Sequence, residues 1–441
     1  MKKLLTGTNL FLASLLTTCI ALVAYFFPPA GNELENEPDQ LVKIYYADNI
    51  SPAHREIIDA FNAEHAGKIE VVTIDLPFSK FSTNERKELL ARALRSKSSR
   101  LDVFAVDLIW VPRFARWAEP LDEFLETNLQ IDFLNYALQS CYFEDKLVAL
   151  PLYLDIGLMY YQQDVLQSQF PNWKGLEPKL KKSITWEELI KMGINREKKD
   201  DNFYLFPGDN FEGLVCTFME LVLSQDPKFF EHSPVQLNAP ESRKALQLLV
   251  DLVHTYHLTP EKITDYDGYK VDQHALRNNG VFWRSWPGLA VQVQHSQALQ
   301  ARLKFLRIGA IPHFEGSKPV SVFGGWNLMV SRHSENKKEA MQFIKYLLQR
   351  ESQLALYKKG GYLPILKNIY MDKELVGKNS ELSYYHELLK KGIHRPYRVD
   401  YTKWSDVISY YAHQALKKEM TVEQALQTAT ERINSKKVLV R

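Results

Sequence analysis

Three cysteines are too few for a disulfide scaffold, and Cys19, Cys141 and Cys216 lack the paired spacing of a zinc site. Net charge is equally scarce. Lysine plus arginine total 55 against 53 acidic residues, a formal +2 over 441 residues. So balanced a chain has no basic excess for neutralising phosphates, which argues against a sequence-independent nucleic-acid binder. Enzyme signatures are missing as well: no phosphate loop, no G-x-S-x-G elbow and no H-E-x-x-H helix occurs. Asp265-Tyr-Asp267-Gly268 begins like a calcium loop, but the third ligand and the closing glutamate do not follow, so a turn is expected. There is no repeat of fixed period and no low-complexity tract. Only one long apolar run is present.

That run, Leu10 to Phe27, follows Lys2 and Lys3 and has the pattern of an export signal. It also reaches the lower limit for a membrane-spanning helix, roughly 17–25 residues. Pro28 spoils the small-x-small cleavage pattern, so residues 1–27 read equally as a cleaved signal peptide or as an uncleaved anchor. Cys19 loosely fits a lipoprotein box, although apolar residues continue well past it. The charge asymmetry predicts cytoplasmic lysines and an exported body. Residues 28–40, rich in Pro, Asn and Glu, read as a linker. Lys2 and Lys3 account for the whole +2, so the remainder is formally neutral.

Over the full chain 45% of residues are apolar and 12% aromatic, which suits globular units that spend aromatics on a ligand. Strand-like Leu41–Tyr46, Lys68–Leu76 and Leu101–Val106 alternate with helical spacing at Ile57–His65, Glu85–Leu94 and Leu108–Trp117. This alternation predicts a parallel, doubly wound sheet. After the apolar stretch Lys146–Tyr161 the chain turns helical at Trp186–Met192, Gly213–Ser224 and Glu241–His257. Strands return over Phe305–Val330, followed by helices at Lys337–Gln349 and Thr421–Ile433. The charged stretches Lys179–Lys182 and Arg196–Asp201 read as solvated loops.

Six segments, in order, carry a resemblance. They are Leu101–Trp110 with Ala118–Leu121, Leu147–Tyr161, Phe211–Leu214, Trp283–Pro287, Gly324–Ser331, and Tyr362–Pro364 with Thr421–Leu426. Over residues 41–435 the chain resembles the extracellular solute-binding proteins of the maltose and trehalose type, which feed ABC sugar importers. The resemblance implies an α/β fold of two lobes, the type II, maltose-binding-protein-like periplasmic-binding fold, with hinge crossings and an interlobe cleft. Residues 41–149 and 322–355 would form the first lobe, and 150–321 and 356–441 the second. Crossings would fall at Val148–Leu154, Pro319–Phe323 and near Glu351–Gly361.

Asp107 ends a buried strand, where it can cap the following turn and also stand at the sheet edge where α/β folds bind ligands. The resemblance makes it a sugar-hydroxyl acceptor, with Trp110 one turn on as an aromatic platform. Asp155 is costly to bury in so apolar a stretch unless something donates to it, and it shares a strand face with Tyr153. The resemblance puts both on the sugar. It further implies contacts from Phe211, Glu212, Trp286, Gly325, Trp326 and Trp404, with Phe211 standing where a tyrosine is common. Trp283 reads as core. Gly324 and Gly325 would let the backbone approach a ligand closely.

The expected function is capture of a neutral sugar or polyol and delivery to ABC permease subunits. The expected protein is a monomer with no cofactor, metal or nucleic acid, meeting the membrane only through its N-terminal segment. Two alternatives are a glycoside hydrolase using Asp155 and Glu212 as its carboxylate pair, and a sensor partner of a membrane receptor.

Overall fold

The computed structural model describes residues 41–435, apart from 78, 79, 82, 125–131, 199, 294 and 295. The expected export segment and linker, residues 1–40, lie outside the described residues. Among the described residues no helix is long and apolar enough to cross a membrane.

The first sheet begins with β1 (Val42–Asp48), α1 (Pro52–Glu64), β2 (Ile69–Asp75), α2 (Thr83–Arg95) and β3 (Val103–Asp107). Ser51 caps α1 by accepting from the His54 amide, and Pro52 supplies a pre-set first turn. Ala53, Ile57, Ile58 and Phe61 then bury one face of that helix. β1 pairs in parallel with β2 on one side and β3 on the other. Every residue of β3 is buried, as a strand covered on both faces requires.

Two further strands come from distant sequence. The chain continues through β4 (Leu150–Ile156) and β5 (Leu158–Gln162), then β6 (Tyr204–Leu205), β7 (Phe282–Ser285), β8 (Leu306–Gly309), β9 (Ser321–Val330) and β10 (Gly392–Ile393). β9 lies antiparallel between β3 and β4, and its first residues pair with β10. The expected parallel pairing therefore holds for β2-β1-β3 and recurs in the β9–β10 pair, but not where β9 meets β3 and β4. β9 returns from the other lobe and enters from the opposite end, which alternation along the chain does not reveal. The second sheet, ordered β8-β5-β7-β6, is antiparallel except for the β6–β7 pair.

The chain changes sheet at Gly157, between β4 and β5, after the expected Val148–Leu154. Leu150–Ile156 pairs with β9 and so stays with the first sheet, not with the second lobe as the division at 149/150 had it. The helix Arg350–Gly360 packs on α1, and Leu363 bridges Leu154, so first-sheet contacts also run past residue 355. On the second sheet's side, α3 (Glu212–Gln225) is buried from Gly213 to Ser224, the mark of a helix enclosed on all sides. Against it pack α4 (Pro240–His254) and α5 (Tyr401–Leu416), and α6 (Val422–Asn434) packs on those two. A capping box of Thr421 and Gln424 starts α6.

Lys179–Lys182 is no loop: it is the last turn of the helix Trp173–Lys182, where the lysines complement the helix dipole. Asp267 caps the helix Gly268–Arg277 by accepting from the Lys270 amide, so the calcium-like stretch is a turn. Trp283 is fully buried, and its indole donates to Asp272 at 2.9 Å.

Asp272 itself gives a testable pH dependence. Burial pushes its carboxyl up to about 7, with the Ser285 and Trp283 donors opposing. Its folded affinity for a proton exceeds the unfolded one, so stability falls as pH rises from about 4 through about 7. Asp272→Asn keeps an acceptor for Trp283 and is expected to raise stability at pH 8 while changing it little at pH 4. Urea unfolding at both pH values measures this; an equal effect at both would contradict it.

Candidate functional site

Three strands bring three of the expected residues into one row. Across β3, β9 and β4 the register aligns Asp107, Trp326 and Tyr153. Directly opposed residues project from the same face, and so do residues two apart. Asp155, opposite Gly324, therefore joins that face. Trp110 meets the Trp326 ring edge-on at 6.3 Å. Behind the row, Arg86 of α2 lays its guanidinium over Trp326 at 4.0 Å and donates to Asp48 at 3.0 Å. Tyr46 donates to the same Asp48 at 2.7 Å, and Tyr362 packs on Tyr153 at 4.3 Å.

The second lobe faces this row through Trp286, which follows β7. A Cβ on Gly324 would lie 2.9 Å from the Trp286 ring and 3.2 Å from the Asp155 Cβ. The Arg284 guanidinium sits 3.9 Å from the centre of the Trp286 ring. Asp155 thus stands between rings contributed by both sheets. Among the described residues its carboxylate has no hydrogen-bond partner. Burial pushes its carboxyl well above the usual carboxylate range, and Asp107 adds to this while Arg284 opposes it. Part of the residue nevertheless remains open. An enclosed acceptor without a donor is an incomplete arrangement.

Glu212, the first residue of α3, is complete by contrast. It accepts from Arg395 at 2.6 Å, from Tyr401 at 2.6 Å, and from Ser405. The other arm of Arg395 donates to Asp107 at 2.8 Å. One buried guanidinium on the segment after β10 therefore bridges a carboxylate of the first sheet to a carboxylate of the helical lobe. Burial works against the Arg395 charge, but Asp107 and Glu212 hold its pKa well above the ordinary arginine value. Burial likewise raises Asp107, against the pull of Arg395. Asp107 also caps the turn at Leu108–Trp110 by accepting from Ile109 at 3.1 Å.

Two mixed sheets joined by crossings, with carboxylates and indoles facing one another between them, narrow the comparison. The sequence profile of bacterial extracellular solute-binding proteins matches residues 56–382. The chain belongs to that family. A "Probable ABC transporter-binding protein" of Deinococcus radiodurans is 26% identical over 362 residues, 78% of this chain and 82% of its own. Among solved structures, maltose-bound T. maritima MalE3 superposes with a TM-score of 0.78 at 26% identity, over 89% of this chain and 99% of that one. A solute-binding protein of Thermotoga lettingae bound with α-D-tagatose gives 0.75 at 22% identity, over 90% and 99%. The fold is thus the two-lobe, maltose-binding-protein-like α/β architecture. Proteins of this extracellular family bind solutes outside the cytoplasm and are not enzymes.

Within this solute-binding fold, Asp107, Trp110, Tyr153, Asp155, Trp286 and Trp326 gather at one place, and Glu212 reaches it through Arg395. The Phe211 ring folds over Gly213, where a Cβ would lie 2.2 Å from it. Trp404 is buried on α5, the helix that packs against the Leu108–Trp110 turn, with its ring covered by Arg398 at 4.4 Å.

Gly325 does not open space for a ligand. Its φ is +128°, and a Cβ there would lie 2.5 Å from the Tyr153 carbonyl. The space spared at Gly324 is likewise filled, by Trp286 and Asp155. These glycines let protein approach protein. Gly325→Ala is expected to cost about 1–3 kcal/mol from backbone strain alone, and more from the clash. Thermal or urea unfolding reads this, and an unchanged stability would contradict it.

Sequence reading missed Asp48, Arg86, Arg284, Arg395, Tyr401 and Ser405. Basic residues belong to the site as well. Three buried arginines are there, each paired: Arg86 with Asp48, Arg284 with Glu220, and Arg395 with Asp107 and Glu212.

Proposed function

We propose that this solute-binding protein captures a neutral sugar or polyol between its lobes and delivers it to the membrane subunits of an ABC permease. The observation that carries the reading is Asp155, a carboxylate to which no described residue donates, set between Tyr153, Trp286 and Trp326. Sugar rings present C–H faces that pack on indoles, and hydroxyls that donate to carboxylates. The charges of the three buried arginines are already matched by carboxylates, whereas no described cation is bonded to Asp155. That favours a hydroxyl-rich neutral ligand over an anion. The family relatives bound to maltose, α-D-tagatose and, in Agrobacterium radiobacter, ribitol support the same class.

A hydrolase would need Glu212 available as acid, base or nucleophile. Its carboxylate instead receives Arg395, Tyr401 and Ser405. This supports binding without turnover. Asp107, Trp110, Tyr153, Asp155, Trp286 and Trp326 would form the ligand surface. Glu212 would act through Arg395. The N-terminal apolar run would direct export and, if retained, hold the protein at the membrane.

A thermal-shift screen over disaccharides, monosaccharides and polyols tests the reading. A ligand at 100 times its Kd adds about 2.7 kcal/mol of stability. No shift with any carbohydrate or polyol would contradict it.

A further inference from the structure

Beneath Trp286 lies a connection that ligand stacking alone does not use. Glu220, in the middle of α3, and Arg284, on β7, are both fully buried. Arg284 donates through Nε at 3.1 Å and Nη2 at 3.0 Å to the two oxygens of Glu220. The planar fork meets the carboxylate squarely, which fixes orientation as well as energy. A buried ion pair of this kind is poor evidence for added stability, since desolvation offsets much of the attraction. It does specify geometry, and here it reaches in two directions.

In one direction it reaches the hinge. The Val322 amide, on β9 at the return to the first sheet, donates to Glu220 Oε1 at 3.2 Å. The Val322 carbonyl accepts from Gly157, where the outgoing chain changes sheet, at 3.1 Å. The two crossings thus run side by side at this point, with a helical-lobe carboxylate bound to one of them. Gly157 leaves the space that the carboxylate needs: a Cβ there would lie 1.9 Å from Glu220 Oε1 and 3.0 Å from Arg284 Nη2. In the other direction, the same guanidinium sits over the Trp286 ring, 3.9 Å from its centre. Its Nη1 is buried without a hydrogen-bond partner.

We propose that Arg284 and Glu220 are positioning residues that tie the orientation of Trp286 to the crossing at Gly157 and Val322, so that seating a ligand on Trp286 and closing the lobes are coupled. This rests on the reading of Trp286 as a ligand face. Hinge closure in binding proteins is absorbed by a few residues at element ends, and Gly157 and Val322 stand at such ends. Arg284 touches no ligand in this scheme; it holds the ring that does.

Gly157→Ala tests the link without altering any face of the site. In the ligand-free full chain, it is expected to raise hydrogen exchange at the Val322 amide at least tenfold. It should also shift the emission of Trp286, isolated by difference from Trp286→Phe. A passive packing role for the pair would leave that emission unmoved. Should Gly157→Ala not fold, Arg284→Lys decides: it keeps the charge but loses the fork, and the same two changes are expected. With the carbohydrate found in the thermal-shift screen, either folded variant should bind about tenfold more weakly and show a smaller ligand-induced compaction by small-angle scattering. Unchanged Val322 exchange or unchanged Trp286 emission would overturn the proposal. Wild-type affinity and compaction in a variant whose exchange has risen would also overturn it. Failure of the wild type to bind any carbohydrate would instead contradict the sugar reading, while the ligand-free measurements still judge the hinge link.

Discussion

Arg395→Met is expected to lower the unfolding free energy by about 3–5 kcal/mol, the cost of leaving buried charge without its partner. The wild-type guanidinium bridges Asp107 and Glu212, and removing it leaves two carboxylates facing each other in an enclosed space. Tyr401 and Ser405 still donate to Glu212, but Asp107 would keep only the Ile109 amide. The size of the effect comes from the stranded carboxylates rather than from the worth of the bridge itself. Adding Asp107→Asn and Glu212→Gln to Arg395→Met should therefore recover most of the loss. Urea unfolding at constant m-value measures both steps. A single-variant loss under about 1 kcal/mol, the range of an exposed pair, would contradict the buried bridge.

Asp155→Asn should behave in the opposite way. Among the described residues nothing donates to this carboxylate, and burial already disfavours its charge. Its folded form prefers the proton, so ionised Asp155 subtracts stability at neutral pH, and the subtraction fades as pH falls. Replacing it with asparagine should leave stability unchanged or raise it, with the larger gain at higher pH. Binding should suffer. A hydrogen bond to a charged group contributes about 1.5–3 kcal/mol, so affinity for the sugar should fall roughly 10- to 150-fold. The same logic predicts that wild-type affinity weakens on acidification, as the acceptor takes up a proton. Titration calorimetry of wild type and variant across pH tests this pair of signs. Equal affinities would remove Asp155 from the site, and a large loss of stability would mean that it is structural. Stability gained as function is lost is the usual mark of a group kept for binding.

Much of this was legible in the residues. Asp107 and Asp155 stand out because a carboxylate next to a buried apolar run must be satisfied by something. Tyr153 follows from the two-residue period of the same strand. Trp286 is marked by the proline after it, and Trp326 by the glycines before it. What the sequence does not display is who satisfies whom. Arg395 lies 288 positions from Asp107 and 183 from Glu212, and it is one of many arginines in the chain. Its neighbours Gly392-Ile-His-Arg-Pro show no periodicity that would mark it as buried. The paired arginines make a related point: a site can hold three cations whose charges are all matched by carboxylates distant in sequence.

The glycines teach a similar lesson. From the sequence, Gly324-Gly325 signals close approach without naming what approaches. The positive φ of Gly325 and the Tyr153 carbonyl beside it make that a matter of strand packing. The lobe boundary was displaced for a related reason. Leu150–Ile156 is apolar throughout, as either a crossing or a buried strand would be, and only its pairing with β9 separates the two. Likewise, antiparallel β9 cannot be told from a parallel strand by composition.

The most direct test of reversible capture combines equilibrium binding with recovery of the ligand. The carbohydrate identified by thermal shift is titrated into the full chain, then released by denaturation and analysed by mass. One molecule bound per chain and recovered intact, with affinity reduced in Asp155→Asn, is the predicted result. Cleaved or altered sugar, or binding indifferent to Asp155, would contradict it.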